Sequence, residues 1–161
     1  MGKKSKILYF TVLLVNLACF ILDLTPINFP FFRISFAVTL VLLGILLCTR
    51  AITNKIDSSM LLGLLFFSFG TLNGISYFTK LYNMLWPYYL YASALACLIT
   101  GIYFRNNIEL KFSILLLGFG VIIHLFVFNI IVLWLFILLM IVWFVIYFVV
   151  NSILFRRRIN G

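Results

Sequence analysis

Apolar residues fill six long stretches of the chain, and polar residues are concentrated in the short segments between them. A membrane-spanning helix needs about 20 mostly apolar residues, with a range of roughly 17 to 25. Each stretch has this length, so the pattern predicts six transmembrane helices at residues 7–23, 31–49, 59–79, 84–104, 112–129 and 131–155. The predicted fold class is therefore all-α, a polytopic membrane bundle.

The boundary between the last two predicted helices is marked by little more than Asn129. One unbroken helix over residues 112–155 would be roughly 65 Å long at 1.5 Å per residue, about twice the thickness of the hydrocarbon core. We therefore expect a tight turn near Asn129.

The six helices group into three hairpin repeats, each an apolar helix, a short turn and a second apolar helix that stops at an arginine. The repeats cover approximately residues 7–50, 59–105 and 112–156 and end at Arg50, Arg105 and Arg156. No linker or second domain is visible, so residues 1–161 are interpreted as a single transmembrane domain.

Basic residues lie mostly on one side of this predicted topology, as the positive-inside rule requires of the cytoplasmic side. An even number of helices leaves Arg33 and Lys80 on the opposite side. We therefore expect both termini to be cytoplasmic, together with the remaining basic residues: Lys3, Lys4, Lys6, Arg50, Lys55, Arg105, Lys111, Arg156, Arg157 and Arg158.

The composition supports a membrane protein: the chain is 66% hydrophobic and 9% charged, with a mean hydropathy of +1.27. Soluble domains are roughly half apolar and a quarter charged. The net charge of +9 resides in loops and tails. A nucleic-acid partner is not expected, because no basic stripe with interleaved aromatic residues lies outside the membrane segments.

Four polar residues within or next to the predicted helices form the candidate intramembrane site: His124, Asn73, Asn16 and Asp23. Ionisable groups within a membrane are functional candidates by default. Two interpretations stay open. The side chains could line one small polar cavity, or they could be hydrogen bonded between helices, with His124 neutral and Asp23 paired with Arg33 across the first loop.

Small residues form stripes on the third and fourth predicted helices, which indicates close helix packing. Gly63, Gly70 and Gly74 share one stripe, and Ala92 and Ala96 have the same four-residue spacing on the next helix. Such stripes serve either packing within the bundle, or self-association and docking to another integral membrane protein.

Catalysis, metal binding and cofactor binding are not predicted. The chain has no paired carboxylates, no Ser/His/Asp order, no HExxH and no glycine-rich phosphate loop. Cys19, Cys48 and Cys97 lie inside apolar segments without ligand spacing, and we interpret them as small hydrophobic residues. The prediction is a non-enzymatic accessory or regulatory membrane protein acting through helix–helix contacts and lipid. The alternative is a small-molecule transporter, or a substrate-binding transporter subunit, with an intramembrane site.

Two short motifs resemble the transmembrane hairpins of LiaF-type cell-envelope stress proteins, in which an apolar helix ends in an Asp-containing turn and Trp-Pro opens the next. Residues 20–23 (Phe-Ile-Leu-Asp) resemble the first part, and residues 85–90 (Leu-Trp-Pro-Tyr-Tyr-Leu), running on to Arg105, resemble the second. In the third repeat, Trp134 is the nearest counterpart. The resemblance implies a bacterial inner-membrane protein of regulatory or accessory type.

The size and topology also resemble the six-helix substrate-binding subunits of energy-coupling-factor vitamin transporters. Those subunits carry an Ala-x-x-x-Ala contact in their first helix, where this chain has residues 13–19 without that spacing. This resemblance implies the transporter alternative.

Overall fold

The structure, a computed structural model, describes the backbone of residues 3–23 and 31–159 and the side chains of residues 10–22 and 32–152 except Leu13. Within these ranges the chain is helical and has no strand. The helices are α1 Lys3–Asp23, α2 Phe31–Asn54, α3 Asp57–Thr79, α4 Tyr82–Phe104, α5 Asn107–Val127 and α6 Leu133–Ile159.

Five helices are long and apolar enough to cross a membrane, and a shorter apolar segment, Phe10–Leu22, lies within α1. The five candidate spans are Phe32–Asn54, Asp57–Thr79, Tyr82–Phe104, Asn107–Val127 and Leu133–Ser152. These five spans, found within the described residues, indicate a membrane protein, since apolar helices of this length match the thickness of the hydrocarbon core.

Most helices continue past the ends that hydropathy predicts, whereas at the last turn α5 ends at Val127 and α6 begins at Leu133, each two residues inside the predicted bound. α2 runs five residues beyond Thr49, and α5 begins at Asn107 rather than at residue 112. The polar side chain of Asn106 accepts a hydrogen bond from the backbone N–H of Ile108 (3.0 Å), which caps α5 at this earlier point. Hydropathy locates the membrane core, whereas capping decides where a helix ends.

Each described turn between helices contains one non-glycine residue in the left-handed conformation. These are Lys55, Lys80, Arg105 and Asn129, with φ between 53° and 57°. After Lys55 and Arg105, the next N–H reaches back to a carbonyl five residues earlier, from Ile56 to Ala51 (3.1 Å) and from Asn106 to Gly101 (2.9 Å). This is the Schellman ending of a helix. The break expected near Asn129 is present and has the same form.

The described helices form an open row in chain order, because each contacts its neighbours in the sequence and no other helix. The two closest pairs are α2–α3, here called the first pair, and α4–α5, the second pair. Each tight pair joins helices that the sequence assigns to different hairpins. The three-hairpin grouping remains a prediction.

The core of the row consists mainly of small residues. In both pairs, buried small residues recur every seven positions, the spacing that keeps one helix face against its partner. The second pair repeats the buried pattern of the first, fifty residues further along, as does the left-handed residue of its turn. The buried equivalents are Ala37 and Pro87, Gly44 and Ala94, Ala51 and Gly101, Gly63 and Ser113, and Gly70 and Gly120.

Candidate functional site

Asn16 joins α1 to α2. Its side-chain Nδ2 donates to Thr39 Oγ1 (2.8 Å) and to the backbone carbonyl of Val12 (2.9 Å), and its Oδ1 accepts from Ser35 Oγ (3.1 Å). The amide therefore has partners for donor and acceptor alike, which suits a polar group in an apolar environment. Asn16 thus lies in an interhelical hydrogen-bond network.

His124 lies in an aromatic cluster between α4 and α5. Its ring stacks on Phe128 (centroids 4.5 Å apart) and meets the rings of Tyr88 (5.5 Å) and Tyr91 (5.9 Å) edge to face. Nδ1 is buried and has no hydrogen-bond partner among the described residues. We call Tyr88, Tyr91, His124 and Phe128 the aromatic cluster.

The structure does not bring the four predicted site residues together. Asn16 faces α2 from α1, and His124 faces α4 from α5, while α1 and α5 share no contact within the described residues. Asn73 is half-buried on α3. Asp23 ends α1, and its side chain, with the predicted Asp23–Arg33 ion pair, lies outside the described residues.

The glycine stripe of α3 divides into two parts. A methyl group at Gly63 would lie 2.7 Å from Cys48 N and Sγ, and one at Gly70 would lie 2.7 Å from Ala37 O, so both glycines lie directly against α2. At Gly74, the nearest atom would be Ala37 Cβ at 4.0 Å, an ordinary van der Waals distance, so this position has room for a methyl group. On α4, Ala96 is buried and Ala92 is half-buried.

Gly44, the partner of the α3 glycines on α2, was not predicted from the sequence pattern. A methyl group there would lie 2.5 Å from Phe67 N and 2.7 Å from Gly63 O. Its signal was the seven-residue series Ala37, Gly44 and Ala51, which is hard to see because larger residues flank each member.

An open furrow between α2 and α3 is the second feature that was not predicted from the sequence pattern. Its apolar part has a volume of about 260 Å³ and is continuous with a cavity of about 580 Å³ at the end where α2 begins and α3 ends. Residues lining both parts are Arg33, Ile34, Tyr77 and Phe78. Lys80 and Tyr82 complete the mouth.

Side-chain clusters of three or more His, Cys, Asp or Glu that could hold a metal are absent from the described part of the chain. No protein-family model, curated protein or solved structure matches this chain.

Proposed function

We propose that this chain is a non-enzymatic accessory or regulatory integral membrane protein that works through lateral contacts of its helices with other membrane proteins. The observation that carries the proposal is the open row. Because each described helix contacts only its chain neighbours, the end helix α6 has one covered side. None of its residues from Leu133 to Ser152 is buried.

Aromatic side chains hold the covered side of α6 against α5. Trp143 Nε1 donates to the backbone carbonyl of Leu115 on α5 (3.2 Å), and the indole lies against Gly118, where a methyl group would overlap the ring. Phe136 packs on Phe126 with ring centroids 4.6 Å apart. These contacts fix the rotation of α6 and hence the side that points away.

The opposite side of α6 presents a continuous apolar stripe at spacings of three and four residues, which are neighbours on one helix face. Its exposure ranges from 83% at Trp134 to 51% at Phe148. We call this stripe the free face of α6, and it consists of Trp134, Leu138, Ile141, Val145 and Phe148. It is the surface that we assign to a membrane partner.

The proposal includes the topology that the charges favour: six membrane crossings with both termini cytoplasmic in a bacterial inner membrane. The turns of the two pairs support this topology, because Asn106 Nδ2 donates to Asp57 Oδ2 (3.4 Å). This hydrogen bond brings the turns that carry Lys55 and Arg105 side by side, and we therefore expect both turns on the same side of the membrane. Labelling of intact cells with a membrane-impermeant thiol reagent tests it. Asn83→Cys is expected to react and Ser58→Cys to remain unlabelled.

Affinity purification in mild detergent, followed by mass spectrometry, tests the functional proposal. We expect a stoichiometric integral membrane partner that Leu138→Trp on the free face removes. Leu95→Trp on α4 is the matched control, because Leu95 is 54% exposed and Leu138 is 57% exposed. A protein that purifies alone after crosslinking in its own membrane, or equal loss with both variants, would contradict the proposal.

The transporter alternative has less support from the geometry, because Asn16 and His124 lie at different helix interfaces. The resemblance of the hairpins to LiaF-type proteins favours the accessory function. Ligand uptake that depends on pH and is lost in His124→Ala would return the transporter to first place.

A further inference from the structure

The furrow between α2 and α3 has the form of a site for one lipid chain with a charged headgroup. Its floor is apolar, formed by residues such as Val41, Leu42 and Gly74, and it opens sideways between the helices. Its mouth carries the exposed side chains of Arg33 and Lys80. A hydrocarbon floor with cations at one end is complementary to an amphiphile with an anionic head.

The end of the furrow lies at the depth where headgroups are expected. Tyr77 and Tyr82 line the mouth, and tyrosine is enriched at the membrane–water interface. Arg33 belongs to the first turn of α2, whose N–H groups add positive potential, and no acidic residue stands in that turn. An anionic group is therefore favoured there by two cations and a helix terminus.

The second pair provides an internal comparison, because the positions equivalent to the furrow are filled. Fifty residues after Val41 and Gly74 stand Tyr91 and His124 of the aromatic cluster. The positions equivalent to Arg33 and Lys80 hold the uncharged residues Asn83 and Ile130. The two cations therefore occur in the pair whose furrow is open.

We propose that the furrow between α2 and α3 binds one anionic phospholipid, with an acyl chain along Gly70 and Gly74 and the phosphate between Arg33 and Lys80. The site is independent of the proposed partner contact, because that contact uses α6. Lipid retention is measured on purified protein without any partner, so the two proposals fail separately.

Native mass spectrometry of the whole chain tests the site, with equal amounts of phosphatidylglycerol and phosphatidylcholine that have identical acyl chains. We expect one phosphatidylglycerol to be retained in preference to phosphatidylcholine. Equal retention of the two lipids would overturn the proposal, because it would show that charge does not select the occupant.

The contribution of the two cations is tested by charge variants, with a second lysine of the chain as the matched control. Each cation near a headgroup contributes about 1 kcal/mol, so Lys80→Gln is expected to weaken retention about fivefold and Arg33→Asn with Lys80→Gln about thirtyfold. Lys55→Gln is the control, since Lys55 is also exposed and has φ 53° against 57° for Lys80. Equal weakening by Lys55→Gln would overturn the site in favour of diffuse attraction.

The acyl chain is tested by filling the furrow. Val41→Tyr introduces the residue of the second pair, and Gly74→Leu is a second filling variant in case the first fails to fold. Loss of the lipid from a folded variant supports the proposal, and unchanged retention overturns it. Displacement of the lipid by inorganic phosphate at millimolar concentration would also overturn it, because the head alone would then account for binding.

Discussion

The first and second pairs share one arrangement of buried small residues but are packed by different groups. In the first pair, backbone meets backbone: a methyl group at Gly70 would lie 2.7 Å from Ala37 O and 2.8 Å from Val41 N. In the second, the equivalent Gly120 faces the ring of Tyr91, at 3.1 Å for the same methyl group. Next to the turn, the second pair has the glycine and the first pair has Ala51. A methyl group at Gly101 would lie 2.9 Å from the backbone nitrogen of Leu110.

This difference explains why the first pair has a furrow between its helices, whereas the equivalent positions of the second pair are filled. Lipid chains are as apolar as leucine, so helices in a membrane gain from close packing and hydrogen bonds rather than from burying apolar surface. Glycine allows the helices of the first pair to touch at Gly44, Gly63 and Gly70, and the furrow runs from Gly70 toward Gly74 and Phe78. Aromatic rings fill the same place in the second pair.

The largest expected effect comes from adding one methyl group where the first pair is closest. Gly44→Ala would place Cβ 2.5 Å from Phe67 N, so the helices must separate, at an expected cost of about 3 kcal/mol in the free energy of unfolding. Denaturation in mixed micelles with increasing dodecyl sulfate measures it.

The control for Gly44→Ala is Ala94→Gly at the equivalent position of the second pair. It removes a methyl group and is expected to cost about 1 kcal/mol through helix propensity and lost packing. A larger loss for Ala94→Gly than for Gly44→Ala would contradict the difference between the pairs.

The aromatic cluster gives the next effect. His124→Ala is expected to lose about 1 to 2 kcal/mol of unfolding free energy, because three ring contacts disappear. His124→Phe keeps the rings and removes the buried Nδ1 that has no partner in the described part of the chain, so it is expected to match the wild type. A much lower stability for His124→Phe would show that the imidazole has an essential polar partner.

The hydrogen bonds of Asn16 contribute less. Asn16→Leu removes the bonds to Ser35 and Thr39 and is expected to cost about 1 kcal/mol, within the range measured for polar contacts between membrane helices. A cysteine crosslink between α1 and α2 should then form more slowly, with Leu17→Ala as the control. An unchanged crosslinking rate would mean that α1 is held by other groups.

The smallest effect on stability is expected at the two turns, one in each pair, that have the same left-handed conformation. Arg105→Gly and Lys55→Gly relieve a left-handed conformation that costs about 1 kcal/mol in a non-glycine residue, but they lose a cation at a helix C-terminus. The net gain is expected to be about 0.5 kcal/mol, and similar at both positions, by thermal unfolding. A gain at one turn alone would indicate that the turns are not equivalent.

Much of the fold could be predicted from the sequence because membrane helices are determined locally. Apolar runs located the five long helices, and the length limit required the break near Asn129. Helix ends were less predictable. α2 passes Arg50 because its backbone hydrogen bonds continue beyond the apolar run, and it ends at Asn54, before the left-handed Lys55, a residue type without a turn signal.

The candidate site was predictable only in part, because it depends on which helices meet. Asn16 was identified as a polar intramembrane residue, but its partners Ser35 and Thr39 become visible only when α1 packs on α2. The stripe of Gly63 and Gly70 was visible, whereas the furrow at Gly74 depends on how far α2 and α3 diverge. No local pattern encodes that distance.

The most direct test of the central difference uses one substitution at two equivalent positions. Gly70→Ala meets the backbone of α2, and Gly120→Ala meets the side-chain ring of Tyr91, which we expect to shift by the few tenths of an ångström required. In denaturation with dodecyl sulfate, we predict a loss of about 2 to 3 kcal/mol for Gly70→Ala and less than about 1 kcal/mol for Gly120→Ala. Equal losses, or a larger loss at Gly120, would contradict packing of the first pair by backbone and of the second by side chains.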